Sequence, residues 1–114
     1  MRWSYRYAPA GGVCRMQSVE VRLQSETTVP RWEDRERADS AVVDWWDGYI
    51  GRLRSHENQH RAIAYEGARE VHRQLKRATS PTCGTMPARA DDLARRILER
   101  YQARNEAYDE ATQH

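Results

Sequence analysis

Residues 56–60 read His56-Glu57-Asn58-Gln59-His60. On an α-helix, residues four apart share one face a turn from each other, so two imidazoles so placed can reach a single ion. Glu57 falls beside them, where a carboxylate can take a proton from a metal-coordinated water. Two neutral imidazoles and an open coordination position are how a catalytic zinc site begins. The competing reading is a solvated helix face that carries two histidines.

The flanking residues favour the metal. Apolar or small residues fall at Val42, Trp46, Tyr49 and Leu53, and again at Ala64, Gly67, Val71 and Leu75, three or four apart within each run. That is the pattern of one buried helical stripe. His56, Glu57 and His60 fill the interval on the same stripe, while Arg52, Arg54, Asn58, Arg61, Arg69 and Arg73 face outward. Three polar groups in line on a core-facing stripe are costly to bury unless something coordinates or hydrogen-bonds them. Zn²⁺ is the expected occupant.

Zinc in a catalytic site takes a third protein ligand and leaves the fourth position to water. The same helix cannot supply it: His72 lies twelve residues past His60, about 18 Å along the axis. Glu66 and Glu70 point away from the stripe. Ile63 and Glu66 stand where the longer metzincin motif wants Gly and His. The candidates are therefore Glu99, Glu106, Asp109, Glu110 and His114.

A chain of 114 residues is one small domain. Seven Val, five Leu, three Ile and no Phe, with a mean hydropathy of −1.02, leave little for a core. Four Trp and six Tyr add apolar bulk, and a metal site and a disulfide are what so thin a core needs. Cys14 and Cys83 have no metal-ligand spacing; in an oxidising compartment they would bridge the N-terminal strands to the segment between the helices. The formal charge is only +2, with arginines interleaved among acids, which is the pattern of an ion-paired surface and not of a nucleic-acid footprint. No segment is long and apolar enough to span a membrane.

Positioning these residues takes strands, then helices. Trp3, Tyr5 and Tyr7 alternate with polar neighbours, as do Val19, Val21 and Leu23, with Gly11-Gly12 between the runs as a turn. Strand is expected over residues 1–30, with Thr27-Thr28-Val29 extending the second strand or starting a third. A metal-binding helix is expected over 39–77, capped at Asp39-Ser40, with Gly48 and Gly51 as points where it would kink or split. Thr79 to Pro87 reads as a loop, and Thr85 as the cap of a second helix over 86–108, with Leu93, Ile97, Leu98, Tyr101 and Tyr108 on its inner side. Trp46 sits on the stripe and Trp45 at its border, both as core filling against the sheet. The fold class is α+β: a small antiparallel sheet from the N-terminal third packed beside a two-helix hairpin.

The ordered set of features carries a resemblance. A Cys and alternating strands are followed by Val29-Pro30-Arg31-Trp32, then a Trp-bearing helix running into His-Glu-x-x-His. A lone Cys comes next, then Asn105-Glu106 and Tyr108-Asp109-x-x-Thr112-x-His114. Residues 13–114 so arranged resemble a bacterial domain-of-unknown-function family, number nine-two-two, whose members are described as predicted secreted zinc-dependent proteases. The resemblance implies a minimal zincin-like domain in which His56 and His60 bind zinc and Glu57 is the general base. It draws attention to the C-terminal segment, where His114 is the expected third ligand and Asp109 the alternative. It also implies a periplasmic or secreted protein, whereas Met1 to Tyr7 lack the apolar stretch of a secretory signal, as in a cytoplasmic chain.

On this reading the protein is a zinc metallopeptidase acting on a peptide or protein. Glu57 takes the water proton and passes it to the leaving amine, and Tyr108, Tyr65 or an Arg is a candidate donor to the oxyanion. The alternative is a zinc-stabilised structural or protein-binding module without turnover. Substrate identity and oligomeric state are not written in the sequence.

Overall fold

The computed structural model describes residues 1–24, 26 and 28–112. The chain is α+β. Strands β1 (Arg2–Ala10) and β2 (Val13–Arg22) come first, and a short 3-10 turn, Arg35–Arg37, follows. Helix α1 (Ser40–Arg77), strand β3 (Thr79–Ser80) and helix α2 (Met86–Thr112) complete the order. Two compact units result: one from Met1–Gln24 and the chain from Ile63 onward, the other from the intervening residues up to Ala62. Helix α1 runs through both.

In the first unit, β1 and β2 form an antiparallel hairpin, with β3 paired to β2 in the order β1-β2-β3. The hairpin turns on Gly11 and Gly12, whose φ values of 62° and 84° lie where only glycine is at ease. Such a two-residue turn matches the twist of the strands it joins. The register slips between Arg6 and Tyr7, so that Arg6 faces Ser18 while Tyr7 faces Met16. This bulge resets the inward side of β2, from Cys14 and Met16 before it to Val19 and Val21 after it.

Val71, Leu75, Ala90, Ala94 and Ile97 form the buried core of this unit, with Trp3, Tyr5, Met16, Val19, Val21 and Tyr101 packed against it. Helix α2 contributes small residues at Ala90 and Ala94, which sequence reading passed over because it looked for bulk. Close approach is also enforced at Gly67: a Cβ there would stand 3.0 Å from Cγ of Tyr101. Arg104 lies over the Tyr101 ring at 5.0 Å and donates to Glu66 at 2.8 Å.

One carboxylate ties sheet to helix. Trp3 Nε1 and Tyr5 Oη both donate to Asp91 Oδ1 at 3.0 Å. Burial first, then the hydrogen bond to Asp91 and the charge it carries, raise the Tyr5 phenol from 10.0 to about 12. The fold therefore favours the neutral phenol. That stabilisation is whole below pH 10, and is lost as pH rises through 12. The unfolding free energy should fall across pH 10–12 in the wild type, and Tyr5→Phe should flatten that fall. Chemical denaturation at stepped pH checks it.

Cys14 and Cys83 are joined in a disulfide with a Cα–Cα separation of 5.0 Å, closing 69 residues of sequence separation. Beside it β3 pairs Ser80 with Cys14 and Thr79 with Arg15. A two-residue strand carries no sequence signal of its own. The expected cap at Thr85 is realised by its backbone, which accepts the Arg89 amide at 3.2 Å. Its hydroxyl turns back to the Thr82 carbonyl at 3.0 Å. Helix α2 continues past the expected end at 108 to Thr112, whose hydroxyl bonds the Tyr108 carbonyl at 2.8 Å.

In the second unit, Asp39 starts α1: its carbonyl accepts the amides of Val42 and Val43, and its carboxylate the amide of Ala41 at 3.3 Å. The helix passes through Gly48 and Gly51 without interruption, so neither splits it. Strand does not reach residue 30: β2 ends at Arg22, and Thr28 and Val29 carry no strand, while Thr27 lies outside the described residues.

The apolar stripe is rotated from the expected one at its start. Ile50 is buried, whereas Val42 is 48% exposed, Tyr49 38% and Trp45 64%. Trp45 is thus not core filling; it stacks on Tyr49 with ring centroids 5.9 Å apart. Trp46, half-buried, meets Trp32 edge-on at 5.6 Å. The error has a simple source: a 3/4 spacing fits two neighbouring phases of one helix, and in this segment the aromatics were bulkier than Ile50.

Candidate metal centre

His56, Glu57 and His60 lie in the middle of α1, and all three are half-buried. Their neighbours Ser55, Asn58 and Gln59 are exposed, so the three face inward relative to the polar side, as the periodicity requires. The two imidazoles face each other. Their Nε2 atoms are 3.1 Å apart, and the rings cross at 78° with centroids 4.7 Å apart. Zinc–nitrogen bonds of about 2.0–2.1 Å at the tetrahedral angle place two nitrogens about 3.3 Å apart. The pair fits that edge of a tetrahedron closely. A hydrogen bond between the rings fits the distance as well, one nitrogen donating and the other accepting.

Glu66 and Glu70, the acids of α1 that follow the pair, are engaged elsewhere. Glu66 accepts from Arg104 at 2.8 Å, and Glu70 is held by Arg73, Arg100 and Gln74. His72 is half-buried more than three turns beyond His60.

Of the candidate third ligands on α2, Glu99, Glu106 and Glu110 are exposed and Asp109 is half-buried. Tyr108 is half-buried beside it, and Tyr65 on α1 is 59% exposed. The carbonyls of Tyr108 and Asp109 both receive the Thr112 hydroxyl, at 2.8 and 3.4 Å, which closes the last turn of α2 around them. His114, the expected third ligand, lies outside the described residues.

A cleft that sequence reading missed opens on the N-terminal half of α1. It has a volume of about 590 Å³, with Pro30, Trp32, Trp46 and Ile50 among its walls and Arg31, Arg35 and Arg54 around it. Arg35 is committed: its guanidinium makes a two-pronged contact with Asp47, at 3.0 and 2.5 Å. That contact pushes Arg35 up and draws the Asp47 carboxyl below its usual range, the hydrogen bond being the largest cause of each. The signal that was available is Arg31-Trp32 and Trp46 together with Arg54, but nothing in the order of the residues says that a loop folds back over the helix.

Taken together, these features describe an α+β domain that displays His-Glu-x-x-His from the middle of a long helix and ties its sheet by a disulfide to the segment before the last helix. The chain belongs to the family described as bacterial protein of unknown function (DUF922), whose model matches residues 1–114. No curated protein and no solved structure matches it. Among the described residues no helix is long and apolar enough to cross a membrane.

Proposed function

We propose that the protein is a zinc-dependent hydrolase, a metallopeptidase, with Glu57 as its general base. The observation that supports it most is the facing of His56 and His60, Nε2 to Nε2 at 3.1 Å, with a carboxylate one residue after the first. Both imidazoles would hold the ion, and the third donor would come from the C-terminal segment, where Asp109 is the nearer candidate in sequence. His114 is the rival for that third position. When bound, zinc acidifies a coordinated water and polarises a carbonyl.

The remaining steps belong to the chain's own groups. Glu57 accepts the proton of the attacking water and delivers it to the leaving nitrogen. Tyr108, from the same turn as Asp109, is the candidate donor to the developing oxyanion. The partner is a peptide or protein. The disulfide supports a periplasmic or secreted setting, where thiols persist oxidised.

Treatment with a chelator followed by dialysis should abolish hydrolysis of an unfolded protein substrate, and adding one equivalent of zinc should restore it. Hydrolysis that survives chelation would overturn the reading. Loss of folding on chelation, with no hydrolysis by the zinc-restored protein, would leave zinc a purely structural role.

A further inference from the structure

The cleft on α1 carries an excess of positive charge. Three arginines stand around it against one acid, Asp47. Arg35 is neutralised by that acid, whereas Arg31 and Arg54 are exposed and make no ion pair among the described residues. Both line the cleft together with Trp32 and Trp46, and beside such an apolar wall a guanidinium–carboxylate contact is stronger than in open water. A planar guanidinium offers a fork of donors that fits a carboxylate in two places at once.

The cleft also shares a helix and a face with the proposed base. At about 100° per residue, Glu57 projects within roughly 20° of Ile50, whose side chain lines the cleft. Arg54 precedes Glu57 by three residues, about 4.5 Å along the axis, and Trp46 by eleven, about 16 Å. An extended peptide advances about 3.3 Å per residue, so a chain laid along this face places side chains in the cleft within about five residues of the bond facing Glu57.

We infer that this cleft is the specificity subsite of the enzyme and that it takes an acidic side chain of a peptide substrate, a Glu or Asp carboxylate seated between Arg31 and Arg54 with its stem against Trp32 and Trp46. Its role as a subsite rests on the hydrolase reading. Its capacity to bind does not, because neither arginine belongs to the metal donors.

The test uses the full chain carrying Glu57→Gln and freed of metal, so that neither turnover nor zinc contributes. The probes are two capped peptides, N-acetyl-Ala-Glu-Glu-Ala-amide and N-acetyl-Ala-Gln-Gln-Ala-amide, titrated by calorimetry and by tryptophan emission at low salt. The acidic peptide should bind at least tenfold more tightly, with a change in emission. Arg31→Gln together with Arg54→Gln should bring the two peptides within twofold, with the circular dichroism of the fold unchanged. Equal binding of both peptides, binding of neither, or a preference that survives the double variant would each overturn the inference. A preference lost in the double variant, from a protein whose zinc-loaded wild type hydrolyses nothing, would uphold the acidic-peptide site and remove the hydrolase reading alone.

Discussion

Glu57→Gln should keep its zinc and lose hydrolysis by a factor of about 10² to 10⁴, the usual worth of a positioned general base. The substitution preserves the size and shape of the side chain and removes only its capacity to accept a proton. Glu57 is not one of the proposed zinc donors, so the metal content should not change. The change belongs in the maximal rate, with substrate affinity unaltered, because the carboxylate acts on the water and not on the bound peptide. Steady-state kinetics beside a zinc assay on the same preparation checks both halves. If the rate were unchanged, the activity would come from another centre. If zinc left together with the rate, Glu57 would be a ligand.

Removing the Cys14–Cys83 bond should cost the fold about 4 kcal/mol, from the chain entropy that a closed loop of this size withholds from the unfolded state. Small domains rest on a margin of roughly 5–15 kcal/mol, and this one has few large aliphatic residues to draw on. Paired Cys14→Ala and Cys83→Ala should therefore bring the protein close to unfolding at body temperature. The local effect should be concentrated where Cys14 and Arg15 pair with Ser80 and Thr79, since two residue pairs cannot hold a strand without the covalent tie. Urea denaturation of the oxidised, reduced and double-alanine proteins measures it. A loss under about 1 kcal/mol would mean that β3 and the core of Val71, Leu75, Ala90 and Ala94 need no such tie.

Much of the fold was legible because it follows from strong local patterns. Alternation marked β1 and β2, Gly11-Gly12 marked their turn, and the long run of threes and fours marked α1. Asp39 announced the start of that helix by its chemistry, and the class, α+β, followed. What was not legible depended on the third dimension. Strand β3 exists because the disulfide and the sheet edge bring Thr79 and Ser80 alongside Cys14. Asp91 looked like one more surface acid of α2, and only the folded sheet shows that Trp3 and Tyr5 share it. Tyr49 was given to the core by its spacing and Trp45 as filling at the border of the stripe, yet the helix phase set by Ile50 turns both outward.

The candidate site divides in the same way. His56 and His60 were joined by spacing four, which fixes their relation within one helix and is what their 3.1 Å separation expresses. The third ligand has no such local relation, and sequence alone left five names for it. Asp109 differs from Glu99, Glu106 and Glu110 in being half-buried, which no pattern of acids along α2 could have told. The cleft was invisible for the same reason: Arg31 and Arg54 are more than twenty residues apart, and one of them had been read as part of a solvated face.

The central claim is that His56 and His60 hold one zinc ion. Elemental analysis of the purified wild type beside His56→Ala and His60→Ala tests it most directly. About one zinc per chain in the wild type, lost in both variants while each retains its helical circular dichroism, is the result expected. No zinc in the wild type even after it is added back, or full occupancy in the His60→Ala protein, would contradict it.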